Sequence, residues 1–285
     1  GAAGTAACSS CARRAGTRGP GGRGAQEATE RASESGVSGE DDRQDVYAHP
    51  DMALRELTRR SIVALVPAMN VDTSDPARVV LSGDPLGMSM NLCPGERFAN
   101  DPTASSCSGT LIDDNLVLTA GHCFEGMTAD ERRTSCRGQR FVFGYYYDAA
   151  NVLHPIVRED VFSCDDLVVW VNGRRGELNL DYAIVRLDRA AAPRFTPVTV
   201  RRAPAALAAS APLAVIGFGS GIPAKIDTGG RVVDPRANML DYFEANTDTF
   251  QGNSGSGVFD PTSRDLVGIL VRGATDYVMR GTCRV

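Results

Sequence analysis

The sequence predicts an all-β protein, and three observations carry that expectation. From Val79 onward, short runs rich in β-branched and aromatic residues are broken by Gly, Pro, Asp and Asn. Two such runs, Thr110-Leu111-Ile112 and Leu116-Val117-Leu118-Thr119, flank the turn Asp113-Asp114-Asn115, a hairpin signal. Few segments carry the 3.6-residue apolar period of an amphipathic helix, which argues for a barrel or sandwich over βαβ units.

Taken in order, residues 1–45 are dominated by Gly, Ala, Ser, Arg and Glu, with Val37 the only large aliphatic side chain. They bury too little apolar surface to offset chain entropy and read as a disordered leader. Residues 46–60 read as a short pro-like helix after Pro50 that ends at Arg59-Arg60, a pair that resembles either a processing site or an exposed basic helix end. The domain proper then spans 61–285. Its first strand is Ser61 to Val66. Further strands are expected at Arg140–Tyr146, Val161–Phe162, Leu167–Val171, Tyr182–Leu187, Leu213–Gly217, Met239–Ala245, Gly257–Phe259 and Leu266–Val271. Tyr145-Tyr146-Tyr147 is expected to pack over a strand end.

With 285 residues, 42% hydrophobic and 23% charged, the chain has the balance of a soluble globular protein and room for a sizeable core. No apolar run reaches membrane-spanning length, and a net charge of -5 offers no electrostatic footprint for nucleic acid. Eight cysteines at scattered spacings favour disulfides and a secreted or cell-envelope location. A zinc site is the weaker reading, because Cys8-x-x-Cys11 lacks a second ligand pair, so no metal is expected. Thr5-Ala6-Ala7-Cys8 also resembles a lipoprotein signal tail, but no apolar stretch precedes it.

The candidate chemistry centres on Gln251-Gly252-Asn253-Ser254-Gly255-Ser256-Gly257, a serine enclosed by glycines on a tight bend before an apolar strand. A serine hydroxyl needs a base, and a neutral imidazole is the usual one. Of three histidines, His49 precedes Pro50 and His154 precedes Pro155, positions expected at the surface. His122 instead follows a strand in Leu118-Thr119-Ala120-Gly121-His122-Cys123. A Cys107–Cys123 bridge across the hairpin would pin it, contributing about 3 kcal/mol by loop closure. An oriented imidazole needs a buried carboxylate, and Asp181 opens the apolar strand Tyr182–Leu187. Asp113, Asp114, Asp165 and Asp166 lie in polar turns or loops and are expected to be solvated. Cys93, Cys136, Cys164 and Cys283 allow three pairings, of which Cys136–Cys164 with Cys93–Cys283 is preferred.

The blocks Cys107-Ser108-Gly109-Thr110-Leu111-Ile112, Leu118 to Cys123, Asp181 to Leu187 and Gly252-Asn253-Ser254-Gly255-Ser256 resemble the active-site motifs of trypsin-like (chymotrypsin-fold) serine peptidases, in the order His, Asp, Ser. The resemblance covers roughly residues 61–285. It implies two packed six-stranded antiparallel β-barrels with the active site in the cleft between them. It also implies an endopeptidase that forms an acyl-enzyme on a polypeptide substrate without a cofactor. By position, Ser254 is similar to the nucleophile, His122 to the general base and Asp181 to the orienting carboxylate, and the N–H groups of Gly252 and Ser254 match the oxyanion hole. Asp248, six positions before Ser254, is similar to the floor of the primary pocket, where a carboxylate favours Arg or Lys. Gly273 matches the glycine at the pocket mouth.

Two features depart from the animal digestive members. Asn253 stands where they carry an aspartate that pairs with a newly cut N-terminus, a style closer to bacterial secreted members. The family's closing C-terminal helix is not evident before Val285, and the sequence is expected to be truncated there. The chain is expected to act as a monomer. Its rivals are a latent or non-catalytic binding module on the same fold, a glutamyl-type endopeptidase and an esterase. Leu270 stands where the glutamyl type shows a histidine, which disfavours that option, whereas Arg272 near the rim opposes a purely basic preference.

Overall fold

The computed structural model describes residues 4–6, 41–273 and 277–285. The bulk of the assigned leader, with Cys8 and Cys11, lies outside the described residues. Composition placed 41–45 in that leader, yet these residues are packed. Gln44–Asp45 forms a short strand paired with Lys225–Asp227. Backbone pairing, which composition does not encode, holds this polar segment.

The expected helix runs from Met52 to Ser61. Asp51 caps it, accepting the Ala53 and Leu54 N–H groups at 2.8 and 3.1 Å and satisfying two donors that a helix start leaves open. Arg59 and Arg60 sit in the last turn, beside the negative end of the helix dipole. The chain passes directly into the strand Ile62–Pro67. At that junction the Thr196 N–H donates to the Arg60 carbonyl at 2.9 Å and the Ser61 hydroxyl to the Thr196 carbonyl at 2.6 Å. The basic pair therefore lies at a packed helix-to-strand junction instead of on a free loop.

Six strands close an antiparallel barrel in the order Val161–Arg175, Leu178–Leu187, Leu116–Thr119, Cys107–Asp113, Ile62–Pro67 and Gln139–Val142. Alternate side chains point inward, so Val63, Leu65, Leu111, Val117, Phe141, Phe162, Val185 and Leu187 fill it. Phe143 stacks on Phe195 with ring centroids 3.9 Å apart. Each such side chain contributes about 1.5–3 kcal/mol on burial. The second unit is an eight-stranded sheet in the order Val232–Asp234, Tyr242–Ala245, Gly4–Ala6, Leu266–Leu270, Gly257–Phe259, Ala214–Gly217, Lys225–Asp227 and Gln44–Asp45. Among the described residues, closure into a barrel is confined to the first unit. The all-β architecture is the one the sequence predicted.

Some elements differ from expectation. Val161–Phe162 and Leu167–Val171 belong to one 15-residue strand, continuous through Ser163–Asp166 because Gln139–Val142 pairs with Val161–Ser163 and Leu178–Leu187 takes over from Cys164. The strand expected to reach Tyr146 stops at Val142, and Gly144 then adopts a φ of 84°. A helix, Ala129–Arg137, forms where none was expected. Thr128 and Glu131 make a reciprocal capping box at its start. His49 is buried, at 3% exposure, and not a surface residue. Its Nδ1 accepts the Asp51 N–H at 3.1 Å and its Nε2 lies 3.4 Å from Thr228 Oγ1, so the turn before the helix needs the ring inside. Burial pushes its pKa down. His154 is half-buried, its ring 4.7 Å from that of Tyr146.

Three disulfides join Cys107 to Cys123, Cys136 to Cys164 and Cys93 to Cys283. Cys136 anchors the unexpected helix to the long barrel strand.

Candidate active site

His122 lies in a short 3₁₀ turn, Gly121–Cys123, directly after the barrel strand Leu116–Thr119. The turn depends on glycine at 121, because a Cβ there would sit 2.2 Å from the Val171 carbonyl oxygen. Trp170 Nε1 donates to the Gly121 carbonyl at 2.8 Å, and the Cys107–Cys123 bridge ties the far side of the turn to the neighbouring strand. Asp181 reaches the same turn from the strand Leu178–Leu187 and is 3% exposed.

These placements bring three side chains into line. His122 Nδ1 is 2.7 Å from Asp181 Oδ2, and His122 Nε2 is 2.7 Å from Ser254 Oγ. The His122 backbone N–H also donates to Asp181 Oδ1 at 3.1 Å, so the carboxylate is held at both oxygens. A carboxylate only accepts, so Nδ1 carries the proton and Nε2 is left to accept from the serine hydroxyl. A relay of this kind turns a poor nucleophile into a competent one.

The serine turn is fixed by its glycines and by one buried residue that sequence reasoning left without a role. Gly252 and Gly255 have φ of 93° and 82°, the left-handed region that favours glycine. A Cβ on Gly255 would lie 2.1 Å from the Ser108 carbonyl oxygen. Ser108, fully buried beside Cys107, donates its N–H to the Ser254 carbonyl at 2.8 Å and its hydroxyl to the Gly252 carbonyl at 3.1 Å. Its hydroxyl oxygen accepts the Phe218 N–H at 3.0 Å. The one signal available for Ser108 was its place in the block Cys107-Ser108-Gly109. Asn253 is buried and local: its Oδ1 accepts the Ser256 hydroxyl at 3.0 Å.

Asp248 is 4% exposed and sits against a second acid that sequence reasoning missed. Its N–H donates to Asp227 Oδ2 at 2.9 Å, and its own Oδ2 accepts the Asp42 N–H at 2.8 Å. Burial pushes the Asp227 carboxyl up to about 7; the neighbouring Asp248 charge acts in the same sense, while the hydrogen bond from the Asp248 N–H opposes it. Asp42, Asp227 and Asp248 have carboxylate oxygens within 4.8 Å of one another, the cation-holding geometry found among the described residues. Gly273 is exposed, and a Cβ there would meet Thr249 Oγ1 at an ordinary 3.6 Å. Arg272 is turned toward the first barrel, donating to Asn179 Oδ1 at 3.2 Å. An apolar cavity of about 490 Å³ bounded by Leu118, Leu180, Tyr182, Ile184 and Val200 takes none of His122, Asp181 or Ser254 in its lining.

The sequence profile of the trypsin-like peptidase domain matches residues 107–269, more than half of the chain and a span that holds His122, Asp181 and Ser254. The chain belongs to the trypsin-like peptidase family. The protein is accordingly a serine-type endopeptidase, a hydrolase of polypeptides. No curated protein matches the peptidase in sequence. Among solved structures, it is similar to a Glu endopeptidase in complex with MPD at 15% identity and a TM-score of 0.46, covering 81% of this chain and 85% of that one. It is similar to the VesB protease of Vibrio cholerae at 16% identity and 0.46, covering 85% and 62%. Rv3671c of M. tuberculosis H37Rv, in an inactive form, follows at 14% and 0.41, covering 79% and 83%. The family assignment of this peptidase rests on the sequence match.

Proposed function

We propose that this peptidase cleaves polypeptides through an acyl-enzyme on Ser254, with a preference for Arg or Lys before the cut. The observation that carries the reading is the relay of two 2.7 Å contacts from Asp181 through His122 to Ser254. As Ser254 Oγ attacks the scissile carbonyl carbon, its proton passes to His122 Nε2, and Asp181 stabilises the imidazolium. The carbonyl oxygen, now an oxyanion, is received by the N–H groups of Gly252 and Ser254, donors that each contribute about 10²–10³ in rate. His122 then gives its proton to the departing amine, and a water repeats the sequence on the acyl ester. A neutral imidazole is required at the first step, so turnover falls on acidification.

Asp248 supports the basic preference as pocket floor, with Gly273 at the mouth. Asp42 beside it adds to the acidity, and an acidic substrate side chain would be repelled there, which weighs against the glutamyl alternative. Arg272, engaged with Asn179, is drawn away from that role. Three disulfides are in keeping with a site of action outside the cytoplasm. The test is digestion of a peptide library by the purified protein. Cuts after Arg and Lys are expected. Cuts after acidic or large apolar residues would refute the role of Asp248, and ester turnover without peptide cleavage would favour the esterase.

A further inference from the structure

The loop that leads into the serine turn is held from the far end of the chain. Asp42 donates its backbone N–H to Asp248 Oδ2 across 206 positions. The next residue, Arg43, is buried with its guanidinium 4.0 Å from the Phe250 ring centroid and 5.1 Å from that of Phe98. Asp41 grips Arg43 through both oxygens at 2.8 Å. Although burial pushes the Asp41 carboxyl up, Arg43 and Arg97 together hold it below the usual carboxylate value.

The segment is itself clamped. Arg97 donates to the backbone carbonyls of Asp41 and Arg43 and pairs with the Asp41 carboxylate at 3.0 Å. Two residues on, Asp45 pairs with the buried Lys225, whose Nζ also meets Asp101 Oδ2 at 2.7 Å. These anchors share no side chain with those of the triad, which run through Ser108, Gly121, Trp170 and the Cys107–Cys123 bridge.

We propose that Asp41–Asp45 is a positioning element of the primary specificity pocket, fixing Asp248 by its backbone and Phe250 by Arg43, and so setting substrate selectivity without setting the reactivity of Ser254. The inference rests on the reading of Asp248 as pocket floor. A carboxylate that must receive a cation in a defined direction needs its free rotation removed, and the Asp42 N–H bonded to its Oδ2 restricts that rotation. Phe250, four positions before Ser254, gains a fixed ring plane from the guanidinium stacked on it. The segment therefore works as part of the pocket. A leader that merely blocks the cleft would have no need to grip the loop beneath it.

The test uses the full chain with Arg97→Ala and Arg43→Gln. Three readouts are taken: the rate of Ser254 labelling by a fluorophosphonate, kcat and KM on peptides with Arg or Leu before the cut, and hydrogen exchange of residues 246–252. For both variants we expect KM on the Arg peptide to rise about tenfold, the equivalent of one charged hydrogen bond. Labelling and kcat should stay within about twofold of the parent, the Leu peptide should be unaffected, and exchange should quicken at 246–252. An unchanged KM with unchanged exchange overturns the proposal. So does a parallel loss of labelling and of cleavage of both peptides, which marks a purely structural role. If Arg43→Gln, at a buried side chain, does not fold, Arg97→Ala at a half-exposed one decides by the same criteria. A parent that fails to label at Ser254 is a separate outcome, since it removes the catalytic reading and not the positioning one.

Discussion

Apart from Trp170 and Phe218, the groups that hold His122, Asp181 and Ser254 lie in or beside the blocks 107–112, 118–123, 181–187 and 252–256, whereas Asp248 meets Asp42 and Asp227, and the segment Asp41–Arg43 meets Arg97, all outside those blocks. The first region is built where apolar alternation has already decided the strands, so His122, Asp181 and Ser254 extend from elements, or turns beside them, that the core holds in register. The second is a meeting of polar segments far apart in sequence, held by backbone hydrogen bonds and ion pairs. On the proposed reading, chemistry is placed on the stiff part of the molecule, and selectivity on the part whose geometry long-range contacts can adjust.

Three substitutions sharpen that contrast. The largest effect is expected for Asp181→Asn. It removes the carboxylate that holds the His122 tautomer while keeping the shape, and kcat should fall about 10⁴-fold with KM little changed. Steady-state kinetics on a peptide substrate check it, and a fall shared by KM would move Asp181 out of the triad. Next is Lys225→Met. Lys225 is 4% exposed, and its loss leaves Asp45 and Asp101 without their shared cation. The cost should be about 3–5 kcal/mol in denaturant unfolding. A near-neutral result would mean that water already serves those carboxylates.

The smallest effect concerns pH. The Asp227 carboxyl titrates in the fold near 7, well above its unfolded value. The folded state therefore binds more protons between roughly pH 4 and 7, so this group's contribution to stability falls as pH rises through that window and levels above it. Asp227→Asn should remove that slope. Unfolding midpoints of parent and variant at pH 5 and pH 8 check it: the difference between them should favour the variant more at pH 8. An equal difference at both values would place the proton elsewhere in the cluster.

What the sequence made legible follows the same division. His122, Asp181 and Ser254 could be named because His122 follows an alternating strand, Asp181 precedes an apolar run, Ser254 lies in a glycine turn, and the blocks around them resemble one family's motifs. Gly257–Phe259 was read to its boundaries because apolar residues and flanking breakers agree there. The helix Ala129–Arg137 was missed, although Thr128-x-x-Glu131 is a legible start signal, because its body is almost wholly polar and has no apolar stripe. The long strand Val161–Arg175 was read as two pieces because Ser163-Cys164-Asp165-Asp166 looks like a loop. Its polar side chains are accommodated by Arg133 and Arg186 at the barrel surface. Gln44–Asp45 has no strand signature and is a strand only because Lys225–Asp227 offers a partner edge. His49 was placed outside because it precedes Pro50 in a low-complexity approach, and its burial is decided by the helix cap it supports.

The central claim is that Ser254, activated through His122, is the nucleophile. The direct measurement is mass-spectrometric mapping of fluorophosphonate adducts on the parent and on Ser254→Ala. The account predicts a single adduct on Ser254 in the parent and none in the variant, whereas undiminished labelling of the variant would contradict it.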